Sequence, residues 1–276
     1  MKTKKGKTNY LPPQFLARTV VAILCFALLV PLGSTNPADK DKKASSNLVI
    51  PSGTILPVRL ETTLSSSKCQ AGQQVTARIM QDVPLPHGSK IREGSKVLGH
   101  VVEKTDSAQG GPASISVQFD TLVSSAGTTK LTTSLRAIAG LGEVLGARTP
   151  QAGEGEGDVW NWRNTTQIGG DVVYGVGGPV TSDGEVVGTS VGSGVLGEVR
   201  AKPGSKCRGP IDGNQNPQAL WLFSSDACGV YGLSHAQIAH AGRSNPAGII
   251  VLSSDRSKVM VQRGAGMLLR VASTLG

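Results

Sequence analysis

At 276 residues the chain is long enough for one or two domains and a substantial buried core. Its 36 glycines and 15 prolines, with only 4% aromatic residues, argue against a helical bundle and for short strands joined by turns. The formal net charge of +9 is concentrated at the start: Lys2, Lys4, Lys5, Lys7 and Arg18 crowd eighteen residues without an acid, and the rest holds 23 basic against 19 acidic residues. So small an excess, with no basic helix and no basic strand interleaved with aromatics, gives no grounds for a nucleic-acid partner.

The basic start runs into an apolar stretch from Thr19 to Gly33, TVVAILCFALLVPLG. A positively charged segment, a short apolar segment and then Pro31, Gly33 and Ser34 have the layout of an export signal. The apolar stretch is about 15 residues, short of the roughly 20 that a bilayer span needs. Residues 1–34 are therefore expected to be a signal peptide, with a retained membrane anchor helix as the alternative. Cys25 falls inside the apolar run, and Ala22, Ile23 and Leu24 before it are not a lipoprotein signal. Residues 35–47 are polar and charged without apolar periodicity, and read as a flexible linker.

Strand signals follow from Leu48 to Gly140. Ile55 to Leu60 follows the turn Pro51-Ser52-Gly53. From Gln74 to Met80, Val75, Ala77 and Ile79 alternate with Thr76 and Arg78, which places one face in a core and the other in water. Lys96 to Glu103, the alternating Ile115, Val117 and Phe119, and Lys130 to Ala137 complete the series. Turns at His87-Gly88-Ser89 and Ser125-Ala126-Gly127 separate them, and predict a mainly β fold, an antiparallel barrel or sandwich.

The order Ile50-Pro51-Ser52-Gly53-Thr54, Pro57, Leu60, Ser65-Ser66, Ala71-Gly72-Gln73, Asp82-Val83, Ile91, Glu93-Gly94-Ser95, Gly99, Phe119-Asp120 and Leu122 resembles the conjugal-transfer TrbI family. The resemblance covers residues 49–140, about a third of the chain. It implies a β-barrel of the kind found in type IV secretion core complexes, working in the envelope beside other proteins.

Residues 141–203 are rich in glycine and are expected to be an irregular mixture of loop and short β pieces, such as Val172 to Tyr174 and Glu185 to Val187. Asp183-Gly184 is a hairpin turn signal. Trp160 and Trp162 alternate, so both rings can share one face of a strand, as core anchors or as a binding face. Asn164-Thr165-Thr166 fits a glycosylation sequon. Gly188-Thr189-Ser190-Val191-Gly192 fits the nucleophile-elbow pattern, with Asp212 or Asp226 and His235 or His240 following in hydrolase order. An elbow needs a helix next, and Ser193-Gly194-Val195-Leu196-Gly197 is a poor helix start. The overlapping glycine pattern Gly192, Gly194, Gly197 lacks the helix that dinucleotide binding requires.

In residues 204–276, Cys207 and Cys228 stand 21 positions apart, and in an exported chain they predict a disulfide. Cys69 is then either free or the true partner of one of them. A zinc site from Cys207, Cys228, His235 and His240 is the alternative, though it lacks a close Cys pair. His87 and His100 read as surface or satisfied core residues. Gly248 to Leu252, Lys258 to Gln262 and Met267 to Val271 predict a terminal β-meander packing with the first strands.

Three functional readings follow. The first is a non-enzymatic exported β-barrel module of the cell envelope, a structural component of a conjugation or secretion-type assembly. It works with other envelope proteins or with itself, periplasmic or secreted, or tethered through residues 19–33. The second is a secreted serine hydrolase using Ser190. The third is a periplasmic ligand-binding protein using Trp160, Trp162 and Trp221. No catalytic set, metal or cofactor is expected from the residues.

Overall fold

The computed structural model describes residues 48–107, 112–149, 164–175, 177–200, 207, 214–255 and 258–275. In chain order the strands are β1 (Ile55–Leu60), β2 (Leu64–Ser65), β3 (Gln74–Ile79), β4 (Val83–Pro84), β5 (Lys90–Ile91), β6 (Lys96–Thr105), β7 (Ala113–Ser124) and β8 (Gly127–Ala139). A short helix α1 (Leu141–Ala147) follows, then β9 (Asn164–Thr166), β10 (Val172–Tyr174), β11 (Pro179–Ser182), β12 (Glu185–Val191), β13 (Gly194–Val199) and β14 (Asn214–Ala219). The chain finishes with β15 (Gly229–Tyr231), β16 (Ala236–Ala241), β17 (Ile249–Ser254), β18 (Met260–Val261) and β19 (Gly266–Leu275).

Six of these strands close on themselves. The order is β8-β19-β1-β3-β6-β7, and β7 pairs back onto β8, with every pair in the ring antiparallel. The expected barrel or sandwich is therefore a barrel. Period-two alternation drives it: Val75, Ala77 and Ile79, and Ile115, Val117 and Phe119, all point into one buried cluster with Leu135, Leu269 and Val271. The expected packing of the C-terminal meander on the first strands is direct pairing, with Val58 opposite Met267 on β1 and β19.

The ring is split at one place. The last residues of β7, Thr121 to Ser124, pair with the start of β8, while Ala113 to Gln118 pair with β17 instead. Asp120 sits unpaired between these two halves, at an irregularity where Leu98 faces Thr121 and Gly99 faces Phe119. Above this fork β7 carries β17 and then β16, and β8 carries the parallel strand β15. The gap that opens between β7 and β8 is thus lined by three extra strands.

The glycine-rich middle is more regular than its composition suggests. Strands β9 to β14 form a six-stranded antiparallel sheet in which neighbours in sequence are neighbours in space. Glycine is required where two backbones touch: Gly188 lies opposite Gly197, and a side chain at Gly188 would strike the Leu196 carbonyl. Asp183 and Gly184 both have positive φ, 51° and 83°, as a type I′ hairpin between β11 and β12 demands. Valines 173, 180, 187 and 195 make this sheet's own small core.

A second core lies outside the barrel wall. Ile55, Ala137 and Leu268 pack there against Val144 of α1 and the segment carrying Leu220, Trp221, Phe223 and Ala227. Gln81 ties the barrel to the second sheet. Its buried amide donates to the Val195 carbonyl at 2.9 Å and accepts from the Trp221 N–H at 2.7 Å.

Candidate functional site

The gap above the fork holds a cavity of about 540 Å³, within the ordinary range for small-ligand pockets. One wall is β8 with β15, and the other is β16. Both walls are bulged. On β8, Ala137 faces Leu268 and Leu135 faces Leu269, so Arg136 is an extra residue without a partner on β19. On β16, Ile238 faces Leu252 and His240 faces Val251, which leaves Ala239 as the extra residue. A bulge twists a strand and re-aims the side chain it carries. Here the extra residue on β8 carries a guanidinium.

Arg136 is 2% exposed. Its Nη2 donates to the Arg200 carbonyl and, at 3.2 Å, to the Ser225 carbonyl. Its Nε is buried and has no hydrogen-bond acceptor. No described carboxylate forms an ion pair with it. Burial pushes its pKa down to about 10, and the positive charge of Arg243 adds to the fall, while Asp226 and Tyr231 partly oppose it. At neutral pH the group is still a cation, held by the Arg200 and Ser225 carbonyls with the charge of Asp226 acting on it.

Arg243 lines the same cavity, with Nη2 3.5 Å from the Leu135 carbonyl and 3.6 Å from the Cys207 sulfur. His240 faces it from β16. Its Nδ1 lies 2.7 Å from the Ile249 carbonyl and 3.1 Å from the Gly242 nitrogen, and Nε2 is 3.3 Å from the Ser244 hydroxyl. Gln237 and Ser244 add polar groups, while Val230 and Ile238 add apolar surface.

The residues singled out in the sequence fall in different places. Cys207 and Cys228 are brought to disulfide distance, with Cα atoms 5.4 Å apart, and Cys207 lines the cavity. Cys69 is free and buried, its sulfur accepting the Ser65 N–H at 3.2 Å. Trp221 is 4% exposed in the outer core, so its ring does not form a surface for ligand. Trp160 and Trp162 lie outside the described residues, as do Cys25, Asp212, the 19–33 stretch and the linker.

Ser190 is an interior residue of β12, 8% exposed, with its backbone bonded to Gly177 and Gly178. A hairpin into β13 follows it instead of a helix, so the elbow geometry is missing, and Gly197 lies inside β13, which runs on to Val199. His235 sits in the exposed turn before β16, and His240 faces the cavity. Among the described residues no group of three or more His, Cys, Asp or Glu is placed to hold a metal ion.

No family model matches the chain, and no curated protein and no solved structure matches it. Arg136 and Arg243, the centre of the cavity, drew no attention in the sequence. An arginine between apolar neighbours in LRAIA is the only trace, because a bulge depends on how two distant strands pair.

Proposed function

We propose that the chain is a non-enzymatic β-barrel module of the cell envelope, exported through its N-terminal segment. In this reading it is a structural component of a conjugation or secretion-type assembly. The observation that carries the reading is the position of the TrbI-like run. Residues from Ile50 to Leu122 supply four successive strands of the closed ring, β1, β3, β6 and β7, with the Gly53 and Gly94 turns at positive φ. Phe119-Asp120 and Gly99, part of the same run, stand at the fork where β7 changes partner. The cysteine pair at disulfide distance fits an oxidising compartment.

A test uses the full chain with a C-terminal tag, expressed in a Gram-negative host. Protease added to spheroplasts is expected to digest the tagged chain, and non-reducing peptide mapping to find Cys207 joined to Cys228. Mass spectrometry of the first residues then separates cleaved signal from retained tether. A chain protected inside spheroplasts with reduced cysteines would overturn export. A strictly monomeric chain in cross-linked envelope extracts would overturn the assembly role.

A further inference from the structure

We infer that Asp171, Gln167, Ser224 and Ser225 form a calcium site between the β9–β10 hairpin and the turn that follows β14. This goes beyond the proposed envelope role and does not depend on it.

The first ground is charge. Asp171 is 2% exposed, and its one described side-chain hydrogen bond comes from the Ser225 N–H, 2.6 Å from Oδ2. No described residue forms an ion pair with it. The Arg136 guanidinium donates to the Ser225 carbonyl, and the carboxylate that acts on it is Asp226. A buried carboxylate is costly unless a cation or a full set of donors compensates it.

The second ground is a set of oxygens without donors. Gln167 Oε1, Ser224 Oγ and Ser225 Oγ are buried and make no hydrogen bond. The Gln167 amide is oriented by the Phe223 carbonyl, which accepts from Nε2 at 2.7 Å and leaves the oxygen as the orphan. Buried polar atoms are nearly always satisfied, so three orphans on two touching turns need a common partner. A water would serve them but leave the Asp171 charge uncompensated. A cation does both, and ligands that are all oxygen select a hard one.

The third ground is how the fold gathers these groups. The Gln167 N–H donates to the Asp171 carbonyl at 2.7 Å, which extends the β9–β10 ladder by one step and sets the two side chains on one face. Both reach the same turn, Gln167 at Phe223 and Asp171 at Ser225. The Ser224 N–H bonds the Ile168 carbonyl at 2.9 Å, and the hairpin loop lies so close that a side chain at Gly169 would strike Ser224 Oγ. One carboxylate among neutral oxygens puts the affinity at the weak end of calcium sites, a Kd of about 10⁻⁴–10⁻³ M. Magnesium, which demands near-octahedral geometry and keeps its water, suits the site less.

The test is thermal unfolding of the chelator-treated full chain with calcium chloride, magnesium chloride, or sodium chloride at matched ionic strength. Calcium at about 10 mM exceeds such a Kd by about ten- to a hundredfold and should raise Tm by roughly 3–10 °C along a saturating curve. Magnesium should do less, and sodium nothing. Asp171→Asn keeps an oxygen for the Ser225 N–H and adds an amide donor among the orphan oxygens. It should abolish the calcium shift, with a calcium-free Tm no lower than that of the unaltered protein. Ser225→Ala keeps the backbone bond to Asp171 and should move the calcium curve to higher concentration. No saturating calcium shift, an equal shift with sodium, or a calcium curve untouched by either substitution in a folded protein would overturn the proposal.

Discussion

Gln81 shows how a single side chain joins two parts of this molecule. Its amide is 1% exposed and serves one donor and one acceptor from segments more than a hundred residues away. Gln81→Leu fills a similar volume but leaves the Trp221 N–H without its acceptor, while the Val195 carbonyl keeps the Leu220 N–H at 2.9 Å. One such buried donor costs about 1–3 kcal/mol. Stability is therefore expected to fall by about 1–3 kcal/mol, read as a lower urea midpoint with an unchanged slope. An unchanged midpoint would mean that water reaches the Trp221 N–H. Neither Gln81 nor Arg136 was legible in the sequence as a special residue. Both act through partners set by long-range pairing, and a polar residue next to apolar ones reads the same whether it faces water or bridges two sheets. Trp221 shows the same limit: an aromatic among apolar residues announces burial or binding, and only the outer core decides for burial.

At the scale of elements, alternation was the readable signal. The first segment's strands emerge close to their expected spans, with β1 from Ile55 to Leu60 as read. Strands β13, β14 and β16 were not read, because glycine, alanine, asparagine and glutamine dilute their pattern and their partners supply the hydrogen bonds. The middle was expected to be irregular for the same reason, although close backbone contact is what its glycines permit. The β6–β7 pair makes a sharper case. Gly99 lies opposite the irregularity at Asp120, where the Gln118 carbonyl occupies the place a side chain would need. Gly99→Val should cost about 2 kcal/mol or more through overpacking against backbone, and should speed hydrogen exchange along β6 and β7 in particular. Equal exchange rates in the two proteins would show that the fork tolerates the added bulk.

At the scale of the whole molecule, the cysteine pair ties Cys207 to the residue that precedes β15. Closing a loop of that length contributes roughly 3 kcal/mol in the chain-entropy model. Reductant should then lower Tm by about 6–12 °C for a domain of this size, and Cys228→Ala should show the same Tm with or without reductant. A Tm indifferent to reductant in the unaltered protein would mean that the thiols are not joined. The broad class was legible from composition and alternation. Closure was not, because it rests on β1 meeting β19, and nothing local in either strand names the other. That meeting sets the order of events in folding. Ser52 donates to the Ala272 carbonyl across 220 positions, and β1 takes its second neighbour from the far end of the chain. High contact order of this kind makes folding slow. A growing chain holds β1, β3, β6, β7 and most of the core residues long before it holds the strand that shuts the ring. Until then the apolar positions of those strands lack the partner that covers them, a state exposed to aggregation.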